Sequence, residues 1–271
     1  MLSATPRHDF DERLLGRVVV VSPHLDDAVL SLGATMAQAV EAGANVEVLT
    51  VFAYGPTSNT PTDDWDRKSG FATEGEAARQ RRIEDRKACA LLGATPRWFD
   101  FSSDGYPRSE SIDEVISAVK AATADADTVL IPGYPLAHAD HAALSNELLS
   151  QGLHCGRLAL YAEQPYMFDR RSMPRGRVEA LPAESAEGPS LPWQRAARAF
   201  AVRSAAGGFT WQRAPADGRH RRVKLQAVKQ YQSQLRSLGL RQTGVGYLRL
   251  RMMLWYEARH GGETIAWPNA T

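Results

Sequence analysis

Apolar runs and helical patterns alternate over the first two thirds of the chain. Residues 17–22, RVVVVS, form a β-branched run without polar alternation, which predicts a central parallel strand covered on both faces. Residues 26–43 carry apolar side chains at helical spacing and end at Gly43, a suitable helix C-cap. Residues 45–53, NVEVLTVFA, predict a second strand. The first 53 residues therefore form a βαβ unit.

The alternation continues beyond this unit. It predicts helices near 74–93, 110–124 and 139–152, and strands near 96–101, 127–133 and 157–163. We therefore predict an α/β fold, with a Rossmann-like, doubly wound, mostly parallel sheet that carries helices on both faces. A mostly helical C-terminal part follows at about 217–260. The whole chain, residues 1–271, is expected to form one domain whose core spans about 17–166.

Two irregular stretches interrupt the pattern. Residues 54–73 are rich in Gly, Pro, Ser, Thr and Asp and are too long for an ordinary tight connection. We expect them to form a mobile lid or rim. A second irregular loop covers about 169–195. Loops of this kind commonly carry binding residues, so both are expected to set specificity.

Charge and composition restrict the partners. The chain has 32 Lys and Arg against 31 Asp and Glu, a net charge of +1, so no global field favours nucleic acid or an anionic membrane. The charged N-terminal residues lack the apolar core of a signal peptide, and no apolar run is long enough for a membrane span. We expect a cytoplasmic protein that binds a small molecule, with Cys89 and Cys155 as structural thiols and homo-oligomerisation left open.

Two clusters of histidine and aspartate follow predicted strands. His24, Asp26 and Asp27 come after the first strand, where open parallel sheets bind ligands. Alone, these aspartates are equally explained by the favourable positive end of a helix dipole. A second cluster, HADH at residues 138–141, also runs from an apolar strand into a helix. Two such loops can face each other across the end of a sheet.

Imidazole nitrogens and carboxylate oxygens together are typical ligands of zinc and similar divalent metals. His24 and Asp27, three residues apart at a helix start, can turn toward the same side. Either His138 or His141 would supply a third ligand, and the other would stabilise an oxyanion or protonate a departing amine. Asp26 stays free to accept a proton from a metal-activated water.

The segments SPHLDDAVLSLGA (22–34) and HADH resemble the PIG-L/LmbE-like family of zinc-dependent N-deacetylases, whose signatures are His-Pro-Asp-Asp and a later His-Pro-Asp-His. RRIEDRKACALLGA resembles the family's Arg-x-x-Glu helix, and LYAEQPY resembles its Tyr-x-Glu-x-Pro-Tyr strand. KLQAVKQYQSQL resembles a later helix of some members. The resemblance implies a deacetylase of an N-acetylated amino sugar or its glycoside, with Zn²⁺ or another divalent transition metal as cofactor.

The resemblance also implies roles for individual residues. The metal ligands would be His24, Asp27 and His141. Asp26 would be the general base, and His138 the acid or oxyanion stabiliser. Asp140 would hold and polarise a histidine, for which His138 is the expected partner.

The chain departs from the family pattern at several positions. Leu25 and Ala139 replace the usual prolines, which affects loop stiffness more than chemistry. Some members place a tyrosine, which helps to bind the reacting carbonyl, where this chain has Leu136. Tyr134 is the nearest candidate to replace it.

Further residues are expected to contact the substrate. Arg81 matches the family's arginine, which binds substrate or braces the acidic loop; the alternative is a surface salt bridge with Glu84 or Asp85. Glu163 ends the fifth strand and is expected to contact an amine or hydroxyl. The rim after the third strand adds Asp104, Tyr106 and Arg108.

Two other functions remain compatible with the sequence. One is an amidase that acts on a thiol conjugate or another N-acyl metabolite, with the same metal and a different pocket. The other is a non-catalytic sugar-binding module, against which the intact Asp26 and His138 argue. The basic stretch 219–224 is expected to be a solvated helix start or to hold an anionic group of the substrate.

Overall fold

One mixed sheet organises the molecule. The computed structural model describes residues 10–169, 176–177, 208–240 and 243–269. Within them the sheet has eight strands in the order β3-β2-β1-β4-β5-β8-β7-β6. The strands are β1 (Arg17–Ser22), β2 (Asn45–Thr50), β3 (Thr95–Trp98), β4 (Thr128–Tyr134), β5 (Arg157–Ala162), β6 (Gly176–Arg177), β7 (Phe209–Ala214) and β8 (Glu263–Pro268).

Helices cover the sheet and fill the C-terminal part. They are α1 (Asp27–Glu41), α2 (Asp64–Ser69), α3 (Glu74–Leu92), α4 (Ile112–Thr123), α5 (Ala139–Gln151), α6 (Tyr166–Asp169), α7 (Gly218–Val228), α8 (Gln232–Ser237) and α9 (Gly244–Arg259). A 3₁₀ turn at Glu12–Leu14 precedes β1. Among the described residues, none of these helices combines the length and the apolar character needed to cross a membrane.

The predicted α/β fold is confirmed for β1 to β5, which pair in parallel with one another. Val18 pairs with Val46 on one side and with Thr128 on the other, so β1 is central. Its valines alternate between two apolar clusters on opposite faces of the sheet, as expected for a strand covered on both sides. The chain leaves β1 and β4 toward opposite sides of the sheet, which creates the crevice where such folds bind ligands.

The C-terminal part differs from the prediction. Helices occupy much of 218–259, but β7 and β8 also extend the sheet. They are antiparallel to each other, and β8 is also antiparallel to β5. β8 follows a helix and pairs antiparallel with both of its neighbours, so the βα alternation that predicts β1 to β5 does not reveal it. Most of the predicted loop at 169–195 lies outside the described residues.

Helix α1 contains a break that a distant carboxylate stabilises. Leu32 has non-helical backbone angles, φ −127° and ψ 15°. Glu263 accepts hydrogen bonds from the backbone N–H groups of Ala34 and Thr35, at 2.9 and 2.7 Å. The side chain of a β8 residue therefore acts as an internal cap for the second half of α1.

A buried lysine neutralises this carboxylate. The Nζ of Lys224 lies 2.6 Å from Glu263 and 2.8 Å from Glu257, and the lysine has no exposed surface. Gly33 allows the approach, because a Cβ at that position would lie 2.8 Å from Cγ of Lys224. Lys224, within the basic stretch 219–224, is therefore a core residue and does not hold a substrate anion.

Replacing this lysine should destabilise the protein strongly. Lys224→Met leaves two buried carboxylates without their cation, and we expect the free energy of unfolding to fall by about 3–5 kcal/mol. Arg222→Met, at an exposed position of the same helix, is the matched control and should change it by less than about 0.5 kcal/mol. Denaturant unfolding of both variants measures the change in free energy. Equal midpoints would contradict a stabilising role for the Lys224 triad, formed by Lys224, Glu257 and Glu263.

Candidate active site

The two acidic histidine loops meet at one edge of the sheet. Residues 24–27 follow the carboxyl end of β1, and residues 138–141 follow that of β4. Since β1 and β4 are adjacent and parallel, both loops open into the crevice between them. Ser22 fixes the first turn: its Oγ donates to the carbonyl of His24 at 2.6 Å and accepts from the N–H of Ala28 at 3.0 Å.

Three side-chain atoms converge on one point. Nε2 of His141 lies 3.0 Å from Nδ1 of His24 and 3.2 Å from Oδ2 of Asp27. The remaining pair, Nδ1 of His24 and Oδ2 of Asp27, is 3.4 Å apart. Ligand atoms bound tetrahedrally to one zinc ion lie about 3.4 Å from one another, given bond lengths of about 2.0–2.1 Å. The donor set and its spacing therefore fit one small divalent cation.

Two other groups of residues also offer atoms that could bind a metal. Ring nitrogens of His24, His138 and His141 lie within 4.8 Å of one another, and so do ligand atoms of Asp104, His138 and Asp140. In the second group, however, Arg108 already pairs with Asp140 and opposes a further cation. The set of His24, Asp27 and His141 has the shorter separations and the mixed donors expected of one site.

Carboxylates hold the far nitrogens of both histidines. Nε2 of His24 lies 3.0 Å from Oδ2 of Asp140. Nδ1 of His141 makes a short hydrogen bond with Glu163, whose other oxygen accepts the N–H of Leu136 at 2.9 Å. Metal-binding histidines commonly have such partners, which fix the tautomer and the ring orientation.

Asp140 and Glu163 have partners that differ from those expected from the sequence. Asp140 was expected to hold His138, but its Oδ2 is 4.0 Å from Nδ1 of that ring and 3.0 Å from His24. The start of α5 turns the Asp140 side chain toward the β1 loop. Glu163 was expected to contact substrate, yet it is fully buried and binds His141 instead.

The charges of this cluster compensate one another. Burial alone lowers the pKa of His24, but hydrogen bonds to Asp140 and Asp27 and the charge of Asp27 raise it to about 9. Asp27 and Glu163 also outweigh burial at His141, whose pKa is raised well above its ordinary value. Burial acts against ionisation of Asp27, but His141 and His24 hold its pKa well below the usual range.

Asp26 is buried, lines the same cleft and has a different environment. It stands at the N-cap position of α1 but makes no capping hydrogen bond with its side chain. Burial and the negative charge of Asp27 raise the pKa of Asp26 well above its ordinary value. The carboxyl group of Asp26 therefore lines the cleft without capping the helix that it precedes.

His138 lies on the more open side of the cluster. Its Nδ1 accepts the backbone N–H of Asp140 at 3.3 Å, which places the proton of the neutral ring on Nε2. That Nε2 is 3.7 Å from Oδ1 of Asp104. Burial and the charges of His24 and His141 lower the pKa of His138 to about 3. The ring is therefore a neutral donor facing the cleft.

A cleft of about 360 Å³ opens over these residues. Five predicted site residues line it: His24, Asp26, Asp27, Asp104 and His138. The remaining lining residues were not predicted, namely Leu30, Tyr54, Asp63, Trp65, Ser103, Pro165, Tyr166, Gln234 and Leu238. Of these, Tyr54, Asp63 and Trp65 lie in the stretch 54–73, and only that general expectation of a rim pointed to them.

The stretch 54–73 is a rim anchored at several points. Trp65 donates from Nε1 to the side chain of Gln234 at 3.4 Å. Oγ of Ser69 lies 2.8 Å from Oγ of Ser237. These contacts join helix α2 of the rim to helix α8 of the C-terminal part, so one wall of the cleft is formed by segments far apart in sequence.

Arg81 and Tyr106 lie behind the wall of the cleft. Arg81 has no exposed surface and pairs with Asp66 of the rim, and the hydroxyl of Tyr106 donates to the same carboxylate. Arg81 does not line the cleft, and its ion pair is with Asp66 instead of Glu84 or Asp85. Arg81, Asp66 and Tyr106 are all buried, and a buried guanidinium requires a carboxylate beside it, which Asp66 provides.

Two further predicted contacts have different positions. Arg108 pairs with Asp140 and donates to the carbonyl of Ser102 at 2.7 Å, so it supports the β4 loop. Tyr134 packs edge-on against Trp211, with ring centroids 6.4 Å apart, and is not among the residues that line the cleft. Tyr134 therefore does not stand in for the tyrosine that Leu136 replaces.

The sequence of this region matches a known family. Residues 19–150 match the model PIG-L, described as GlcNAc-PI de-N-acetylase. Residues 19–150 form a PIG-L domain. The PIG-L domain contains both loops, which confirms the resemblance carried by SPHLDDAVLSLGA and HADH. No curated protein sequence matches the chain.

Solved structures extend the likeness beyond the PIG-L domain. The A40926 pseudoaglycone deacetylase Dbv21 is 26% identical with a TM-score of 0.65, over 93% of this chain and 96% of that one. A triple mutant of a deacetylase of the teicoplanin biosynthetic pathway, Orf2*T, is 26% identical with a TM-score of 0.66, over 93% and 97%. The N,N′-diacetylchitobiose deacetylase of Pyrococcus horikoshii shares the fold, at 14% identity and a TM-score of 0.54, over 96% and 88%. The α/β fold of this chain is that of deacetylases.

The carboxylate behind His141 should control cation affinity. Glu163→Gln removes the negative charge that orients and polarises the ring, so the dissociation constant for zinc, used as the probe, should rise about 10–100-fold. Competition with a chromophoric chelator measures it. The control is Glu110→Gln, at an exposed position, which should leave the constant unchanged. Equal affinities of the two variants would show that Glu163 does not support a metal ligand.

Proposed function

We propose that this protein is a metal-dependent N-deacetylase that hydrolyses the N-acetyl group of an amino sugar carried by a larger molecule. The observation that carries the proposal is the triangle of His24, Asp27 and His141 with the uncommitted carboxyl group of Asp26 beside it. The PIG-L domain and the deacetylases that share its fold at 26% identity support the reaction class.

His24, Asp27 and His141 would hold the metal, for which Zn²⁺ fits the donor set and other divalent transition metals are compatible. When bound, such an ion supplies Lewis acidity, which polarises a carbonyl and makes water acidic enough to lose a proton near neutral pH. Asp140 and Glu163 would fix the two imidazole rings toward it.

Asp26 would serve as the proton carrier of the reaction. Its carboxylate accepts a proton from water as the water oxygen bonds to the acetyl carbonyl carbon. The bond between that carbon and the amide nitrogen then breaks, and the nitrogen receives the proton from Asp26. The products are acetic acid and a primary amine, and at neutral pH the acid's proton passes to the amine, which leaves acetate and an ammonium group. Burial suits Asp26 to accepting the proton, since a raised pKa makes its carboxylate a stronger base than an exposed one.

His138 would assist the departing nitrogen. Its Nδ1 is engaged by the N–H of Asp140, so Nε2 carries the proton and faces the cleft. The Nε2–H group can therefore donate a hydrogen bond to the amide nitrogen as it becomes an amine. Asp104, 3.7 Å away, would keep the ring in this orientation.

The walls of the cleft support a sugar substrate. Tyr54, Trp65 and Tyr166 offer aromatic surface, and Asp63 and Gln234 offer hydrogen-bonding groups for hydroxyls. Trp65 is 39% exposed, so the aromatic surface continues to the mouth of the cleft. We infer that the acetylated sugar enters while its attached aglycone remains outside, in keeping with neighbours named for a pseudoaglycone and for teicoplanin biosynthesis.

Substitutions should separate the base from the metal ligands. Asp26→Asn should keep the metal and lower the rate of acetate release by about 10²–10⁴-fold, because only proton transfer is lost. His141→Ala should lose both metal and activity. Metal analysis and acetate release from a panel of N-acetylhexosamine glycosides measure the two quantities. Full activity of Asp26→Asn would contradict its assignment, whereas hydrolysis of N-acyl thiol conjugates alone would favour the amidase alternative.

A further inference from the structure

Tyr166 is an aromatic residue of the cleft that the reaction described above does not use. It begins the short helix α6 and lines the cleft. Its ring stands edge-on to the ring of His141, with centroids 6.0 Å apart and an interplanar angle of 79°. Among the residues that the structure describes, its hydroxyl has no hydrogen-bonding partner. A phenol beside the reacting centre is therefore available to a ligand.

Other candidates for this position are already engaged. Leu136 is fully buried in a left-handed backbone conformation, φ 52°, and its N–H binds Glu163. Tyr134 is packed against Trp211 and does not line the cleft. The loop between β4 and α5 thus provides no hydroxyl group toward the cleft.

The segment 163–166 ties Tyr166 to the candidate metal centre. Glu163 at its start holds His141, and the carbonyl of Glu163 accepts the N–H of Met167 at 3.0 Å. Gln164 is held by Ser31 of α1, whose Oγ accepts its N–H at 3.1 Å. One short turn therefore fixes both a histidine of the cation site and the phenol, which is the preorganisation that stabilisation of developing charge requires.

We infer that Tyr166 donates its hydroxyl hydrogen bond to the carbonyl oxygen of the acetyl group. This inference rests on the proposed deacetylase function and adds a catalytic residue to it. As the water oxygen bonds to the carbonyl carbon, negative charge develops on the carbonyl oxygen, and the hydrogen bond to Tyr166 strengthens. No bond to Tyr166 is made or broken. Its contribution is electrostatic, and its strength is greatest in the transition state.

The test removes the hydroxyl and keeps the ring. In zinc-loaded Tyr166→Phe we expect kcat to fall about 10²–10³-fold with KM nearly unchanged, because the donor acts mainly in the transition state. Zinc content and thermal stability should match those of the unsubstituted protein. Acetate, the product carboxylate, should bind about tenfold more weakly by calorimetry, independently of turnover. The control Tyr247→Phe, on α9, should retain the full kcat and acetate affinity.

Each outcome bears on the inference. A kcat and an acetate affinity of Tyr166→Phe within about twofold of the unsubstituted protein would overturn it, as would the same loss appearing in Tyr134→Phe instead. Loss of zinc from Tyr166→Phe would also overturn it, because the residue would then act through the metal centre. If the unsubstituted protein hydrolyses no N-acetylated sugar but Tyr166→Phe still weakens acetate binding, the proposed function fails and the placement of Tyr166 is supported.

Discussion

The concentration of buried carboxyl groups at the ends of β1, β4 and β5 is the constraint on which the rest of the site depends. Asp26, Asp27, Asp140 and Glu163 are all buried there. Carboxylates in such surroundings require nearby positive charge. A divalent cation bound by deprotonated histidine and aspartate side chains would supply it. The cluster that is costly to bury is therefore also the cluster whose chemistry favours a cation.

Support for this cluster comes from all parts of the chain. Arg108 neutralises Asp140, and the fully buried pair of Arg81 and Asp66 anchors the rim behind Asp26. On the far side, the Lys224 triad holds the break in α1 and reaches Gln164, which follows Glu163 directly. The geometry of the candidate metal ligands thus depends on residues that do not line the cleft.

The sequence pattern predicts the strands, the helices and the loops between them, but it does not predict contacts between segments that are far apart in sequence. The apolar runs and the motifs that follow them, His-x-Asp-Asp and His-x-Asp-His, predict the positions of β1, β4 and their loops correctly. Local patterns suffice there because neighbouring residues set where a strand ends and a helix begins. Which histidine Asp140 holds depends on side-chain direction across two loops, so the expected partner was wrong. Trp65, Tyr166 and Gln234 come from three separate segments, and only the folded chain brings them into one cleft.

X-ray absorption at the zinc edge tests the central claim most directly. Zinc-loaded protein should bind one ion per chain, surrounded by nitrogen and oxygen ligands at about 2.0–2.1 Å, with the multiple scattering of imidazole and without sulfur. Failure to bind zinc stoichiometrically, or a spectrum dominated by thiolate at about 2.3 Å, would contradict the assignment of His24, Asp27 and His141 to one cation.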